Sequence, residues 1–297
     1  MKKIPIIIDT DIGSDIDDAW ALAMALGCPE LDIKMIVTCT GDTLFRAKIV
    51  CKFLEKVGRT DIPVGIGLPF ASILEHQRAY IKDYDLEGYP GAIYEDGIGA
   101  MANTIMSSEE KVTLVCIGPL PNIAKLLEKE PRVVDNTRFV GMHGAVHKGY
   151  NGSDEIHAEY NVIQHLATAK VVFSSDFDMT ITPLDTCGIV RLEGDDYKKV
   201  AETGNATMSE VMENYQVWLT EMGADTNTTR SSILFDAVAI YLAFSETLLE
   251  IAEIKIAIND DGKTVIDEDG KSIRVATDWQ DLPAFYELLI ERLLNAP

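Results

Sequence analysis

The strongest constraint on the fold is an alternation between short apolar runs and helical segments. Ile4 to Ile8 is an almost unbroken run of mainly β-branched residues, which is typical of a strand buried on both faces of a parallel sheet. The pattern becomes helical from Ala19 to Leu26, and the segment LDIKMIVT from Leu31 to Thr38 has the composition of a second strand. These three segments predict a first βαβ unit, and therefore an α/β fold.

The alternation continues along most of the chain. Further strands are predicted at IPVGIG, VTLVCIG, TRFVGM and MTITPL. The helices predicted between and after them are, approximately, Thr43 to Val57, NIAKLLEKE, HLATAKVVFSS, Asp195 to Glu202, Met208 to Met222 and Ile233 to Phe244. The later runs IKIAI, KTVI and SIRVA are separated by NDDG and DEDG, whose Asp-Gly pairs favour hairpin turns. We therefore predict an open, mostly parallel but mixed sheet flanked by helices, with an antiparallel C-terminal edge and a final helix from Leu282 to Leu294.

Composition is that of a globular protein. Hydrophobic residues make up 47% and charged residues 25% of the 297 residues, which argues against a disordered chain. No linker, low-complexity tract or internal repeat marks a domain boundary. We therefore expect one domain over residues 1–297.

The net charge and the cysteines indicate which binding partners and which cellular compartment to expect. The 26 basic and 48 acidic side chains give a formal net charge of −22, which repels polyanions, so we expect no nucleic acid partner. No apolar stretch approaches membrane-spanning length, and the first apolar run ends at Asp9, so neither a membrane nor a signal peptide is expected. The five cysteines show no CxxC spacing and lie mostly in apolar runs, which favours a reducing, cytoplasmic location.

A cluster of acidic residues directly follows the first predicted strand. The segment DTDIGSDIDDAWAL contains Asp9, Asp11, Asp15, Asp17 and Asp18. Ligand sites in open α/β sheets lie at the carboxyl ends of the strands, so these acids occupy the edge where a site is expected. So many carboxylates at one place repel one another unless a cation keeps them ionised. Because the cluster contains no His or Cys, its donors favour Ca²⁺ or Mg²⁺ over zinc.

Three unrelated features can also bring acidic residues together in a short segment. Acids at the start of a helix stabilise its dipole, but that effect accounts for one or two acids rather than the whole cluster. The segment does not fit an EF-hand loop, because the loop that begins at the first acid has Ser14 at its sixth position and Trp20 at its twelfth. A magnesium-dependent phosphatase of the haloacid dehalogenase type has Thr or Val two residues after its Asp-x-Asp, where this chain has Gly13. Its distant Asp pair is matched here only by Asp260 and Asp261, in a predicted turn.

The acidic segment resembles the hallmark of the inosine-uridine-type nucleoside hydrolases, which has the form DTDxG…DDAxAL. This chain has two residues more between Asp11 and the Asp17–Asp18 pair than the commonest version. The resemblance continues in order through GDT at 41–43, IGPLPNIA at 117–124, AEYN at 158–161 and FDAVA at 235–239. It implies a Rossmann-like nucleoside hydrolase fold and a calcium-dependent N-ribohydrolase that cleaves ribonucleosides into ribose and free base.

Residue by residue, the resemblance implies the parts of an active site. Asp11 and Asp18, the backbone carbonyl of Ile117 and the carboxylate of Asp236 look like ligands of one calcium ion, and Asp11 also resembles the general base. Calcium takes six to eight oxygen ligands, so a water and two ribose hydroxyls would complete the set. The ion would then both position the sugar and lower the pKa of the attacking water.

Further matches concern the sugar. Asp17, Glu159 and Asn161 match family positions that hydrogen-bond the ribose hydroxyls. Such contacts leave buried polar groups unpaired when a hydroxyl is missing, so a 2′-deoxyribonucleoside is expected to be a poor substrate. Cleavage passes through a ribosyl group with cationic character, which surrounding carboxylates stabilise. Without the other motifs, AEYN would equally indicate a turn that begins a helix.

The chain departs from the family pattern at two site positions. Phe235 stands where many members have a histidine that protonates the departing base, and a positioned acid of this kind contributes roughly 10²–10⁴ in rate. Phe235 is expected to pack or to stack on the base instead. Asp42 stands where many members have Asn, a nearly isosteric change that adds charge near the sugar.

Other residues are candidates for the base side of the site. His143, His147 and His157 lie near one predicted strand end and are possible replacements for the missing acid, although an isolated histidine is more often structural. Trp218 and Tyr215 lie three residues apart on one helix face, where they can stack on a base but more often belong to a core.

Two further functions remain compatible with these residues. Loss of the usual histidine would leave a calcium-dependent nucleoside or ribose binder with little turnover, and the phosphatase would release phosphate with magnesium. The sequence does not distinguish purine from pyrimidine nucleosides, because base contacts come mainly from variable loops. The resemblance implies a small-molecule ribonucleoside substrate, a role in nucleoside catabolism and base salvage, and a homodimer or homotetramer.

Overall fold

Ten strands form a single sheet in the structure, a computed structural model that describes residues 2–71 and 75–297. In chain order they are β1 Ile4–Thr10, β2 Leu31–Thr38, β3 Val64–Ile66, β4 Ile93–Tyr94, β5 Val112–Cys116, β6 Thr137–Met142, β7 Asp178–Thr182, β8 Leu249–Ile258, β9 Thr264–Ile266 and β10 Lys271–Trp279. Their order across the sheet is β4-β3-β2-β1-β5-β6-β7-β10-β8-β9.

All strand pairs from β4 across to β10 are parallel, whereas β8 pairs antiparallel with both β10 and β9. The predicted mixed sheet with an antiparallel C-terminal edge is therefore confirmed. The turn from β8 to β9 contains Asp260 and Asp261, which places that acid pair in a hairpin, as predicted.

The helices follow the alternation that the sequence predicts. They are α1 Asp17–Leu26, α2 Thr43–Lys56, α3 Gly97–Ser107, α4 Pro121–Lys129, α5 Val133–Asn136, α6 Tyr160–Ile163, α7 Leu166–Phe173, α8 Leu184–Cys187, α9 Gly194–Ala201, α10 Ala206–Glu221, α11 Phe235–Leu242 and α12 Leu282–Leu294. Strand β4, helix α3 and the shortest helices have no counterpart among the sequence predictions. None of the helices in the described part of the chain combines the length and apolarity needed to cross a bilayer.

Two hydrophobic cores lie on opposite faces of the sheet. Along β1, Ile6 and Ile8 belong to one core and Ile7 to the other, because successive side chains of a strand point to opposite faces. Helices α1, α2 and α11 pack over the first core, and α3, α4 and α7 over the second. Burial on both faces explains the unbroken apolar composition of the central strands.

The strand order reverses at β1. The chain runs outward from β1 to β4 and then returns to β5, which lies on the other side of β1. The loops that leave the carboxyl ends of β1 and β5 therefore diverge from adjacent strands, and this is the position at which open α/β sheets form ligand sites.

Candidate active site

A cavity of about 270 Å³ lies at the carboxyl ends of β1, β5 and β6. Its walls combine carboxylates, aromatic rings and a few neutral polar groups. The lining residues are Asp11, Ser14, Asp15, Asp17, Asp18, His76, Ile117, Met142, Tyr150, Glu159, Tyr160, Asn161, Trp218, Met222, Phe235 and Asp236. The cavity thus collects residues from every motif that carries the sequence resemblance except GDT.

The loop between β1 and α1 is held in shape by a buried arginine. Gly13 has a φ of +106°, a conformation that L side chains rarely adopt, and it turns the chain towards α1. Arg46 of α2 is fully buried below this loop. It donates hydrogen bonds to the carbonyls of Asp11 and Ile12 and to Ser14 Oγ, the last two at 2.9 Å. The guanidinium therefore fixes the backbone of the acidic loop and adds positive charge beneath it.

Three carboxylates converge within the cavity. One oxygen from each of Asp17, Asp18 and Asp236 lies within 4.8 Å of the other two. Asp17 and Asp18 open α1 and Asp236 lies in the first turn of α11, so the two helix starts bring them together. The hydroxyl of Thr10 donates to Asp18 Oδ1 and so fixes that side chain.

Burial and mutual repulsion disfavour the ionised form of these carboxylates, and a bound cation would stabilise it. Burial raises the pKa values of Asp17, Asp18 and Asp236 well above their usual range, and repulsion from neighbouring carboxylates raises them further. A cation between the oxygens would offset both effects. Because every side-chain donor is a carboxylate oxygen, the set fits a hard divalent cation such as Ca²⁺ or Mg²⁺.

Asp11 and Ile117 lie beside these three carboxylates. Both line the cavity, although the carboxylate of Asp11 is not one of the three that converge within 4.8 Å. Burial raises the pKa of Asp11, and the charge of Arg46 together with a hydrogen bond from Ser14 opposes that rise. The carbonyl oxygen of Ile117 accepts a hydrogen bond of 3.1 Å from the side-chain amide of Asn161.

Glu159 caps a helix and also lines the cavity. Its carboxylate accepts hydrogen bonds from the backbone N–H groups of Gly144, Asn161 and Val162, at 2.9, 2.7 and 3.3 Å. AEYN therefore does begin a helix, α6, while the side chains of Glu159, Tyr160 and Asn161 all line the cavity. Burial raises the pKa of Glu159 to about 7, and the three N–H groups oppose the shift.

The loop that bears Gly144 is supported from the antiparallel edge. The Thr264 hydroxyl of β9 donates to the carbonyl of Ala145 at 2.7 Å and accepts from its N–H at 2.9 Å. This contact crosses from the outermost strand to the loop after β6. The N–H of Gly144, next to Ala145, donates to the carboxylate of Glu159. The edge hairpin therefore supports the loop that binds Glu159.

Aromatic side chains form another part of the cavity wall. Trp218 of α10 lines the cavity and stacks on Tyr215, with ring centroids 6.0 Å apart. Phe235 also lines it and meets the edge of Tyr150 at 6.0 Å. The indole Nε1 of Trp218 is buried and has no hydrogen-bond partner among the described residues, so it remains available to an acceptor. Flat rings and one donor suit a nitrogenous base.

Two predicted site residues do not line the cavity. Asp42 is exposed and caps α2 by accepting a hydrogen bond of 3.0 Å from the N–H of Phe45. His143 is fully buried between Phe139 and Phe173, and its Nε2 binds the carbonyl of Gly118 at 3.1 Å. Burial lowers the pKa of His143 to about 4, so the ring is neutral near pH 7.

Three more residues that the sequence singles out also lie outside the cavity. His147 is exposed and His157 packs against Tyr150, and neither lines the cavity. Asp9 is buried beneath the site, where it accepts a hydrogen bond of 2.7 Å from Asn122.

Sequence reasoning missed His76, which does line the cavity. It lies in a segment without regular periodicity or a motif, and only the three-dimensional contacts bring it to the site.

Comparison with known sequences gives matches over nearly the whole chain. Residues 6–287 match the family described as inosine-uridine preferring nucleoside hydrolase. The chain is 28% identical over 317 aligned residues to the pyrimidine-specific ribonucleoside hydrolase RihA of Citrobacter koseri, covering 98% of each sequence. It is 32% identical over 215 residues to the non-specific ribonucleoside hydrolase RihC of Klebsiella pneumoniae, covering 69% of each.

Solved structures show that the fold is shared. The plant nucleoside hydrolase PpNRh1 superposes with a TM-score of 0.82 at 21% identity, covering 100% of both chains. The purine-preferring ribonucleoside hydrolase of Gardnerella vaginalis superposes with a TM-score of 0.79 at 21% identity, covering 98% of both.

Proposed function

The chain belongs to the inosine-uridine preferring nucleoside hydrolase family and is therefore an N-ribohydrolase, and we propose that its cavity cleaves ribonucleosides in a calcium-dependent reaction with Asp11 as general base. The observation that carries the proposal is the convergence of Asp17, Asp18 and Asp236 beside Asp11 in one cavity. The products are ribose and the free base.

Calcium would be held by Asp11, Asp18, Asp236 and the carbonyl of Ile117. The oxygen-only donors and their burial support this assignment. The proximity of Asp17 to the same oxygens adds a further carboxylate next to the ion. When bound, calcium would position the ribose hydroxyls and increase the acidity of the attacking water.

Asp11 would accept the proton of that water. The buried guanidinium of Arg46 fixes the backbone of Asp11 at the cavity, which supports this role. As the water adds to the anomeric carbon, the glycosidic C–N bond breaks and its electron pair leaves with the base. The surrounding carboxylates stabilise the positive charge that develops on the sugar.

Asp17, Glu159 and Asn161 would hold the ribose. The side-chain amide of Asn161 donates to the carbonyls of Ile117 and Met142, both at 3.1 Å. Its Oδ1 is therefore the atom that can accept from a ribose hydroxyl. A 2′-deoxyribonucleoside would leave one of these buried polar groups unpaired, so it should be a much poorer substrate.

The base would lie against Trp218 and Phe235. Their rings can stack on any planar base. Stacking does not distinguish one base from another by its hydrogen-bonding groups. Among the relatives, RihA is named pyrimidine-specific and RihC non-specific. Both purine and pyrimidine nucleosides therefore belong in the first test.

We expect the enzyme to act as a homodimer or homotetramer in the cytoplasm. The resemblance to the family supports the oligomer, and light scattering of the purified protein will measure its mass. The location is supported by the cysteines Cys28, Cys39, Cys51, Cys116 and Cys187, which are all buried free thiols.

The deciding experiment measures ribose release from a panel of purine and pyrimidine ribonucleosides, with calcium added or chelated. The wild type should release ribose only with calcium, and Asp11→Asn should reduce kcat by at least about 10². Asp260→Asn is the matched control, because it makes the same change at an exposed turn paired with Lys170. Its activity should equal that of the wild type.

Other results would contradict the proposal. Calcium-dependent nucleoside binding without ribose release would identify a binder. Magnesium-dependent phosphate release from phosphate esters would identify a phosphatase. Ribose release that is unaffected by chelation would show that the reaction does not require calcium.

A further inference from the structure

The departing base needs a proton, and the residue usually suited to this task is absent. Phe235 precedes Asp236 and has no proton to give. His143 is buried away from the cavity, His147 and His157 do not line it, and the fifth histidine, His165, binds the Thr40 hydroxyl at 2.5 Å. Among the five histidines of the chain, His76 is the one that lines the cavity.

We propose that His76 is the catalytic acid that protonates the departing base. The inference rests on the proposed ribohydrolase function and adds the group that completes it. His76 lines the same cavity as Trp218, one of the rings against which the base would lie.

Hydrogen bonds tie the segment around His76 to two other parts of the molecule. The His76 N–H donates to the carbonyl of Gly13 at 2.7 Å. The next residue, Gln77, is fully buried, and its amide donates to the carbonyl of Asp15 at 2.6 Å. The side-chain oxygen Oε1 of Gln77 accepts a hydrogen bond of 2.8 Å from the side-chain amide of Asn214 in α10. The segment thus joins the acidic loop to the helix that bears Trp218.

The backbone at Gln77 shows how firmly this segment is held. Its φ of +73° lies in the left-handed region, which few residues other than glycine adopt. Such a conformation persists only where the surrounding contacts determine it. The backbone that carries His76 is thereby fixed at the cavity, and its half-buried side chain lines the wall.

Asp15 lies on the same wall as His76. Burial raises the pKa of Asp15, while the charge of His76 acts on the same carboxyl and lowers it. The two residues extra to the commonest family version lengthen the loop that contains Asp15. Asp15, whose role is otherwise unassigned, therefore lines the same cavity as His76 and interacts with its charge.

The step balances in atoms and charge. The imidazolium of His76 gives its proton to a ring nitrogen of the base as the C–N bond breaks, and the base leaves neutral. The attacking water forms the new C–O bond and gives its proton to Asp11. One water is consumed, and a proton moves from Asp11 back to His76 through solvent before the next turnover.

The test compares two leaving groups. A ribonucleoside needs a proton on its base, whereas 4-nitrophenyl β-D-ribofuranoside releases a stable anion and needs none. His76→Gln should lower kcat for the nucleoside by about 10²–10⁴ and change kcat for the nitrophenyl riboside by less than about threefold. Activity on the second substrate also shows that the variant is folded and binds calcium.

Two control variants complete the test. His147→Gln makes the same change at an exposed histidine outside the cavity and should leave both rates unchanged. Tyr150→Phe removes the hydroxyl of another cavity residue. A selective loss of nucleoside hydrolysis in Tyr150→Phe, with none in His76→Gln, would assign the acid to Tyr150 and overturn the proposal.

The failures can be told apart. Equal losses on both substrates in His76→Gln would assign His76 a structural role and overturn the inference alone. A wild type that hydrolyses neither substrate with calcium would overturn the proposed function, and the inference with it.

Discussion

Single residues in this protein are tuned by burial more than by exposed ion pairs. The three converging carboxylates are almost completely buried, and burial is the largest cause of their raised pKa values. Burial lowers the pKa of His143 instead, because the charged form of a histidine is the protonated one and burial disfavours it. The Nε2 of its neutral ring donates to Gly118, since a carbonyl can only accept.

His143 predicts a dependence of stability on pH. The pKa of His143 is about 4 in the folded protein and 6.5 in the unfolded chain. Between these values the unfolded chain takes up a proton that the folded protein does not, so stability is lost as the pH falls. The loss is about 1.4 kcal/mol per pH unit, or about 2 kcal/mol at pH 5 relative to pH 7.

Urea unfolding at pH 7 and pH 5 measures this effect. His143→Gln keeps an amide that can donate to Gly118 but does not titrate, so its unfolding free energy should fall by about 2 kcal/mol less than that of the wild type. His147→Gln, at an exposed position, should behave as the wild type. An identical pH dependence in His143→Gln and the wild type would contradict the prediction.

At the scale of elements, the site depends on how closely β1 and β5 bring their loops together. Gly118 follows β5, and a Cβ at this position would lie 2.8 Å from Asp11 Oδ1 and 2.9 Å from the Asp11 backbone nitrogen. Only a residue without a side chain allows this approach. The loop that carries Ile117 and the loop that carries Asp11 therefore share one narrow space.

Gly118→Ala should displace Asp11 from the cavity. We expect it to weaken calcium binding and nucleoside hydrolysis by at least about tenfold and to cost about 1–3 kcal/mol of stability, as other overpacked sites do. Calcium titration calorimetry and urea unfolding measure the two effects. Gly88→Ala is the control, since a Cβ there meets no atom within 4 Å. Unaltered calcium affinity in Gly118→Ala would contradict this prediction. It would show that the loops carrying Ile117 and Asp11 can move apart without loss of the site.

The sequence predicted the elements better than it predicted the site. The central strands are apolar on both faces and the helices are periodic, so β2, β6 and α12 begin and end at the predicted residues. Arg46 and His76 gave no such signal, because each reaches the site through contacts with residues distant in sequence. Asp42, which is predicted to contact the sugar, caps α2 and does not line the cavity, and the sequence could not reveal this cap in advance because Asp is common both at helix N-caps and in sites.

At the scale of the whole molecule, the site brings together residues that are far apart in the sequence. Asp17 and Asp18 come from the first helix and Asp236 from the eleventh, and these acids meet only in the folded protein. A cation bound between them therefore favours the folded state over the unfolded one. The extent of the single domain stays a prediction, although one continuous sheet includes strands from both ends.

Calcium should raise the melting temperature of the whole protein. At a concentration of 100 times its dissociation constant it adds about 2.7 kcal/mol of stability. Asp236→Asn should abolish this gain, and without calcium it should be at least as stable as the wild type, because it removes one of three mutually repelling groups. Differential scanning calorimetry with and without a chelator measures both. A full calcium response in Asp236→Asn would contradict the proposed ligand set.

The contact between Thr264 and Ala145 limits how the protein can be shortened. The β8–β9 hairpin lies at the outer end of the sheet, and a designer seeking a smaller enzyme would choose it for removal. The same hairpin carries the hydroxyl that orders the loop beside Glu159. We therefore expect a truncated chain to keep its acidic loop but to lose order beside Glu159, the proposed ribose ligand, so a strand at the far edge of the sheet would affect substrate binding.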